Sequence, residues 1–337
     1  MKHFLLSYLL LSSAVNIFSQ SEYLINDFSN EYFAKIVIGT DQNAEVFKTG
    51  KVIIFRKKDN VEILNVNSEK FEFDIQTDSN KNISYKDQNV IVYKDFNFDG
   101  ENDLAIQDYF SSKGPSYTIY LYNKDSFQLD RTFTEIIQNS QGNYELDPAS
   151  KTIQTMSSGG CCWHSFSTFI VKEGKPYPSR EEVKESDLPF NINTTKEWSD
   201  GKMTVTIEKE IDLNQDGIIQ IMSFKLLNKN KKVVLFNINN RTLNYALTDE
   251  KNMVEFNYPI KTVYRNPDFL LFQSGNELQF KNKGAEYKIY QVLKGNKIES
   301  IGIIVKFNGK ETNLKGDIKT LKGSLKNIPN LDNVVKK

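Results

Sequence analysis

Histidine and cysteine are scarce in this chain, and their scarcity excludes several kinds of catalytic site. The 337 residues include two histidines and two cysteines, and His3 lies in an N-terminal segment that we expect to be removed. His164 is then the single histidine left, which excludes a zinc site built on several histidines and a two-histidine proton relay. The sequence also contains no glycine-rich phosphate loop before a helix and no Gly-x-Ser-x-Gly nucleophile elbow. We therefore expect a non-enzymatic protein, although 43 acidic residues leave open a carboxylate pair for glycoside cleavage.

Long apolar runs are also missing after the first 19 residues, and so is any excess of charge. No later stretch approaches the roughly 20 apolar residues that a transmembrane helix needs, so we predict no transmembrane segment. Without Lys2, the 43 basic residues become 42 against 43 acidic ones, a net charge of −1, which argues against bulk binding of nucleic acid. Residues 281–337 depart from this balance with 13 lysines and five acids. A solvated lysine-rich face, or a surface for an acidic partner or for an anionic envelope, is expected from such an excess.

Residues 1–19 have the pattern of a secretory signal peptide. A basic start at Met1–His3 is followed by the apolar run Phe4–Leu11 and then by mostly small residues up to Ser19. This order is typical of a cleaved leader, and it is too short for a membrane span. We predict that the mature protein begins at Gln20 and is exported to the periplasm or the extracellular space.

The remaining chain is rich in residues that favour strands. Tyrosine and phenylalanine total 39, as 16 and 23, and short apolar runs alternate with polar turns, which predicts an all-β protein. We expect hairpin turns at residues 58–60 and at Asn308-Gly309, and further strands across residues 127–137. Three prolines and a charged run loosen the pattern over residues 172–200. We therefore predict one β-rich domain over residues 20–190 and a second β-rich region over residues 196–337.

Residues 95–103 carry oxygen-bearing groups at the spacing of a calcium-binding loop. Calcium takes about six to eight oxygen ligands, and Gly100 stands where such a loop needs a sharp turn. The flanking residues are typical of strands, and the twelfth position is Ile106 instead of glutamate, so we predict a calcium loop between two strands. The alternative is a solvated acidic turn. The predicted ligands of a structural Ca²⁺ are Asp95, Asn97, Asp99, Glu101 through its backbone carbonyl, and Asp103.

A second, weaker version of this pattern begins 117 residues later. Its ninth position is an amide where the first loop has Asp103, and the loss of one carboxylate weakens a calcium site. A second calcium site and an ordinary surface turn both fit this segment. The predicted ligands are Asp212, Asn214, Asp216, Ile218 through its backbone carbonyl, and Gln220.

Cys161 and Cys162 are adjacent and are followed directly by Trp163 and His164. Because the chain contains no other cysteine, the two form a disulfide with each other, remain as free thiols, or bridge to another chain. We predict the disulfide between neighbours, which would stiffen a loop carrying Trp163 and His164 as binding residues. A catalytic Cys–His pair is the weaker alternative, since nothing marks an oxyanion hole or an orienting third group.

The segments Asp95–Leu104, Tyr117–Asn123 and Lys151–Gln154 together resemble exported bacterial β-propeller-like calcium proteins. One branch of that family is similar to lysozyme-inhibitor or immunity proteins, which block peptidoglycan-cleaving enzymes. The resemblance covers roughly residues 85–172 and implies calcium ligation at the five positions of the first loop. It also implies that residues 20–190 form a calcium-binding, propeller-like domain. It implies no inhibitory residues, because no motif here fixes them.

These observations lead to two hypotheses about function. The first is an exported, calcium-binding, non-enzymatic binding protein with a protein partner, for which a cell-wall hydrolase is the expected class. The second is an envelope scaffold or carbohydrate-binding protein that uses its aromatic and basic surface.

Overall fold

The structure is a computed structural model that describes residues 20–40, 46–72, 81–260, 267–272, 274–295 and 297–337. The predicted signal peptide, residues 1–19, lies outside these residues. The described residues form 25 β-strands, one α-helix and three single-turn 3-10 helices. Nearly all neighbouring strands are antiparallel, which confirms the predicted all-β class.

The chain divides into two compact units. The first contains the described residues up to Ser157 together with Phe166–Ser179, and the second contains Ser158–Ser165 together with Arg180–Lys337. The segment that we expected to separate two domains, residues 172–200, is itself part of long strands. Threonines and alternating apolar residues satisfy strand geometry there in spite of the prolines.

The first unit contains two four-stranded antiparallel meanders, and sheets of this kind are the blades of β-propellers. These two sheets have the strand orders β1-β2-β3-β4 and β5-β6-β7-β8. The strands β9 and β10 are also hydrogen-bonded neighbours. Closure of such sheets around a channel stays a prediction. The elements are β1 (Gln20–Ile25), β2 (Tyr32–Gly39), β3 (Phe47–Arg56), β4 (Val61–Glu72), β5 (Ile91–Lys94), β6 (Asp103–Ser111), β7 (Gly114–Asn123), β8 (Ser126–Leu129), α1 (Arg131–Asn139), β9 (Tyr144–Asp147), β10 (Thr152–Ser158), β11 (Trp163–Lys172) and β12 (Lys175–Asp187).

Residues 131–139 form a helix where we expected a strand. Asp130 caps this helix α1, because its side chain accepts a hydrogen bond from the backbone N–H of Phe133. Phe133 and Ile137, four residues apart, lie on one face of the helix and are buried in the same apolar cluster as Ile119. The cap and this spacing outweigh the strand preference of the aromatic and β-branched residues.

The second unit begins with one segment each of β11 and β12, which it shares with the first unit, and continues with the next two strands of the chain. It also contains two larger sheets. These sheets have the orders β18-β17-β16-β15-β24 and β23-β22-β21-β20-β19-β25. The strands are β13 (Phe190–Ser199), β14 (Lys202–Ile211), β15 (Ile218–Lys225), β16 (Lys232–Ile238), β17 (Thr242–Thr248), β18 (Val254–Tyr258), β19 (Phe269–Leu271), β20 (Glu277–Asn282), β21 (Ala285–Lys294), β22 (Lys297–Phe307), β23 (Lys310–Lys315), β24 (Lys322–Gly323) and β25 (Val334–Lys336).

The core of the second unit lies between these two sheets. Leu278 stands opposite Ile289, and Ile289 opposite Ile303, which places three buried side chains in one row across β20, β21 and β22. They share a cluster with Phe224 and Leu235 of the facing sheet. No helix in the described part of the chain is long and apolar enough to cross a membrane.

Candidate functional site

The loop from Asp95 to Asn102 connects β5 to β6, which confirms the predicted strand–loop–strand arrangement. Its side chains fold back onto its own backbone. Asp95 accepts hydrogen bonds from the N–H groups of Asp99 and Gly100, at 3.2 and 2.9 Å, and Asp99 accepts one from Glu101 at 2.9 Å. Gly100 has φ of +99°, a conformation that favours glycine. The loop therefore gathers its carboxylates around one tight turn.

Asp103 fixes this loop to the sheet from a fully buried position. Its two carboxylate oxygens accept hydrogen bonds from the N–H groups of Phe96 and Tyr122, both at 2.8 Å. Burial raises the pKa of Asp103 to about 6, and the negative charges of Asp99 and Asp95 act in the same direction. The two backbone donors oppose this rise but do not cancel it.

The acidic loop has little compensating positive charge. None of the ion pairs found among the described residues involves Asp95, Asp99 or Asp103. Lys151 lies nearby, but its ammonium donates to the backbone carbonyl of Phe98, at 3.2 Å. A cavity of about 430 Å³ opens beside the loop and is lined in part by Asn97, Asp99 and Lys151. A cation beside the loop would relieve electrostatic repulsion among these carboxylates, which no ion pair in the described residues offsets.

The predicted ligands suit calcium only if carboxylate, amide and backbone carbonyl oxygens bind it together. Within the described ranges, no three His, Cys, Asp or Glu side chains converge closely enough to hold a metal by themselves. The amide oxygen of Asn97 and the backbone carbonyl of Glu101 would therefore have to complete the carboxylates of the loop. Carboxylates, amides and backbone carbonyls are the hard oxygen ligands that calcium prefers.

The second predicted loop, between β14 and β15, has fewer hydrogen bonds from its backbone to its own carboxylates than the first loop has. Asp212 accepts from the N–H of Asn214 at 2.9 Å, and Gly217 has φ of +82°, so the turn itself resembles the first one. Gln220 differs from Asp103, because it is exposed and its amide donates to Ser223 at 3.3 Å. Asp216 lies in the same connection, and Ile218 is the first residue of β15. Calcium binding at this loop stays a prediction.

Cys161 and Cys162 form the predicted disulfide between neighbours. The backbone around the bridge is ordered by two hydrogen bonds, from Gly159 N–H to the carbonyl of Trp163 and from Ser186 N–H to the carbonyl of Cys162, both at 2.9 Å. Both cysteines are exposed, while Trp163 and His164 are half-buried. This disulfide hairpin, residues 159–164, belongs to the second unit, whereas the acidic loop belongs to the first.

An aromatic cavity in the second unit was not predicted. Its volume is about 670 Å³, and its lining includes Tyr258, Phe280 and Tyr287. The ring of Phe280 stacks between the other two, with centroids 4.6 Å from Tyr258 and 4.7 Å from Tyr287. Because Tyr258 comes from the sheet facing that of Phe280 and Tyr287, the stack depends on how two sheets pack, which no local sequence signal reveals.

Charged side chains border this aromatic cavity. Lys281 pairs with Glu286 at 2.6 Å, and both line the cavity together with Asp268. Burial raises the pKa of Asp268, while a hydrogen bond from the Asn333 amide, at 3.0 Å, opposes that rise. The cavity therefore combines ring faces with hydrogen-bonding groups, as small-molecule and sugar sites do.

Comparison with known proteins gives no family for this chain. No family model matches it, and no curated protein matches it. A Xanthomonas type IV secretion system related protein is similar in structure, with 17% identity, 57% of this chain and 94% of that chain covered, and a TM-score of 0.43.

Two β-propeller-type structures are also similar at a lower level. For TolB from Acinetobacter baumannii the identity is 9%, with 88% of this chain and 66% of that chain covered, and the TM-score is 0.22. For the β-propeller domain of the Trilobed protease from Pyrococcus furiosus the identity is 9%, with 87% of this chain and 95% of that chain covered, and the TM-score is 0.23. With all these scores below 0.5, the fold assignment rests on the sheets described above.

Proposed function

We propose that this chain is an exported, calcium-stabilised binding protein without enzymatic activity of its own. The observation that carries the proposal is the acidic loop, where Asp103 is fully buried and the negative charges of Asp95 and Asp99 act on it. None of the ion pairs found in the described residues involves these three carboxylates. Clustered carboxylates of this kind repel one another until a cation neutralises them.

In this proposal Asp95, Asn97, Asp99, Asp103 and the backbone carbonyl of Glu101 would hold the ion. Calcium would neutralise the carboxylates and stabilise the folded state by mass action. The residues of the chain would orient the ligands, because Asp95 and Asp99 already bond the backbone of the turn and Asp103 bonds Phe96 and Tyr122. The role of the ion is structural.

Calcium titration by calorimetry, with melting temperatures in calcium and in chelator, tests this step. We expect one strong site, a lower melting temperature in chelator, and a loss of both effects in Asp99→Asn. Asp125→Asn, an exposed carboxylate outside both loops, is the matched control and should behave like wild type. An unchanged melting temperature in chelator, with no metal found by elemental analysis, would refute calcium stabilisation.

The disulfide hairpin is the surface that we propose for a protein partner. Because the disulfide cross-links the backbone beside the partly exposed Trp163 and His164, little conformational entropy would be lost when a partner binds them. Tryptophans that become buried at an interface often dominate its binding energy. The disulfide also supports export, because such bonds persist in oxidising compartments. The partner class that we propose is a peptidoglycan-cleaving enzyme, on the basis of the family resemblance of residues 85–172.

Mixing the protein with a panel of peptidoglycan-cleaving enzymes tests this partner class. We expect inhibition of at least one enzyme, and about a tenfold or larger loss of affinity in Trp163→Ala, in line with an aromatic hot spot. Trp198→Ala, which changes the other half-buried tryptophan of the chain, should leave inhibition unchanged. Full enzyme activity throughout the panel would remove this hypothesis.

The aromatic cavity favours a second function, the binding of envelope carbohydrate. The faces of sugar rings are apolar enough to stack on aromatic side chains, while their hydroxyl groups need polar partners such as Asp268 and Lys281. Co-sedimentation with purified peptidoglycan or polysaccharide, compared between wild type and Tyr258→Ala, separates this function from the first. Binding that survives in Trp163→Ala but fails in Tyr258→Ala would favour the carbohydrate alternative.

A further inference from the structure

Strand β14 presents an apolar edge that the described residues leave largely uncovered. Met203, Val205 and Ile207 alternate along this strand and are 52%, 49% and 67% exposed. The strand pairs with β13 on its inner side. On its outer side, the bridge found among the described residues is the one between Glu210 and Met253, at the far end of the strand. Exposed apolar edges of this kind pair readily with another strand.

The backbone groups of these three residues point outward, away from β13. Successive residues of a strand direct their N–H and C=O groups to alternate sides. Ile211 donates its N–H to the carbonyl of Asn252 on the outer side, at 3.1 Å, so the other odd-numbered residues of β14 face outward as well. The two-residue turn Asp200-Gly201, which is closed by the pair Ser199 and Lys202, independently gives the same alternation.

We propose that β14 is the interface between two copies of this chain, paired antiparallel about a twofold axis at Val205. In this register Val205 faces its own copy, and Met203 faces Ile207. Thr204 then faces Thr206, and Lys202 faces Glu208. Because the axis is twofold, each pair of unlike residues occurs twice in the interface. The strand is therefore complementary to itself in shape, polarity and charge, as a closed twofold interface requires.

The two faces of the joined sheet would differ in character. Side chains alternate across a strand, so the pairs of Met203, Val205 and Ile207 would meet on one face. There they would lie beside Trp198, which stands opposite Met203 in the hairpin. The threonine and Lys202–Glu208 pairs would meet on the other face. Lys202 and Glu208 take part in none of the ion pairs found in the described residues.

Neighbouring registers lack this complementarity. An axis at Thr204 would place Lys202 opposite Thr206 and bring Asp200 towards Glu208.

An axis at Thr206 would place Met203 opposite Lys209, whose ammonium already donates to Asn257 at 2.9 Å. It would also need Glu210, which is already bridged to Met253. The Val205 register is therefore the one that the sequence of the edge favours.

Sedimentation equilibrium of the full chain, with and without charge exchange, tests both the dimer and its register. Wild type should dimerise. Lys202→Glu and Glu208→Lys should each raise the dissociation constant about tenfold, because each places like charges opposite one another twice. The double variant should return close to the wild-type value, because the exchanged charges face each other again.

Val205→Lys places two ammonium groups on the axis and should give a monomer at every concentration tested. Val61→Lys is its matched control, since Val61 is a strand valine of similar exposure, 45%, and this variant should dimerise like wild type. A monomeric wild type would overturn the proposal. A dimer in which the double charge exchange fails to restore the affinity would overturn the register.

Discussion

One carboxylate oxygen of Asp103 accepts a hydrogen bond from the backbone N–H of Tyr122, at 2.8 Å, which ties the start of β6 to β7. The other oxygen accepts from Phe96, also at 2.8 Å, at the beginning of the acidic loop. A single buried side chain thus fixes the loop relative to the sheet, so changes at Asp103 should affect stability and calcium binding together.

Asp103→Asn should destabilise the calcium-loaded protein. An amide offers one acceptor oxygen where the carboxylate offers two, so one of the two backbone N–H groups is left buried without an acceptor. Such a group costs about 1–3 kcal/mol, and the loss of a charged ligand adds to this cost. Urea unfolding in excess calcium measures the change. Asp125→Asn should stay within about 0.5 kcal/mol of wild type, as surface substitutions usually do, and an equal effect of both variants would contradict the role of Asp103.

In the metal-free protein the same carboxyl should make stability fall as the pH rises from about 4 to about 6. Its pKa is about 6 in the folded state, against an ordinary value of 3.8, so the folded state holds the proton more tightly. Stability is then greatest below the ordinary pKa and declines until the pH passes the folded pKa, by on the order of 2–3 kcal/mol.

Unfolding free energies of the metal-stripped protein across this pH range measure the effect. Other carboxyl groups titrate there too, so the decisive quantity is the difference between wild type and Asp103→Asn, in which this group no longer titrates. A difference that does not change with pH would show that Asp103 titrates normally.

The helix α1 gives a third prediction, because its N-terminus depends on one side chain. Asp130 accepts from Phe133 N–H at 2.9 Å, and Asp130→Ala removes this cap. The expected cost is about 1 kcal/mol, read from chemical denaturation. Glu135→Ala, an exposed change on the same helix, should cost much less, and equal losses would contradict the capping role.

Local patterns predicted the elements that depend on neighbouring residues. Asn308-Gly309 forms the expected hairpin turn, with Phe307 opposite Lys310, because positive φ at both turn residues suits asparagine and glycine. The strands that flank the acidic loop and the disulfide of Cys161 and Cys162 are also confirmed. Helix α1 was missed because its strand-favouring residues concealed both the cap at Asp130 and the four-residue spacing of Phe133 and Ile137.

Features that depend on distant residues could not be predicted. The burial of Asp103 requires β7 to supply the N–H of Tyr122, 19 residues further along the chain. The stack of Tyr258 on Phe280 requires two sheets to face each other. The sequence therefore indicated the chemistry of the acidic loop but gave no indication of the aromatic cavity.

The aromatic stack of the second unit gives the last prediction. Phe280 is buried between Tyr258 and Tyr287, at centroid distances of 4.6 and 4.7 Å, and it contacts Tyr245 and Phe269 at 5.2 and 5.4 Å. Phe280→Ala should therefore cost about 3–5 kcal/mol, because the removed ring leaves a cavity that its neighbours fill only in part. Phe307→Ala removes the same ring at a position that is 50% exposed, so it should cost about 1 kcal/mol or less. Chemical denaturation of both variants measures the difference, and similar losses would show that the stack contributes no more than a surface ring.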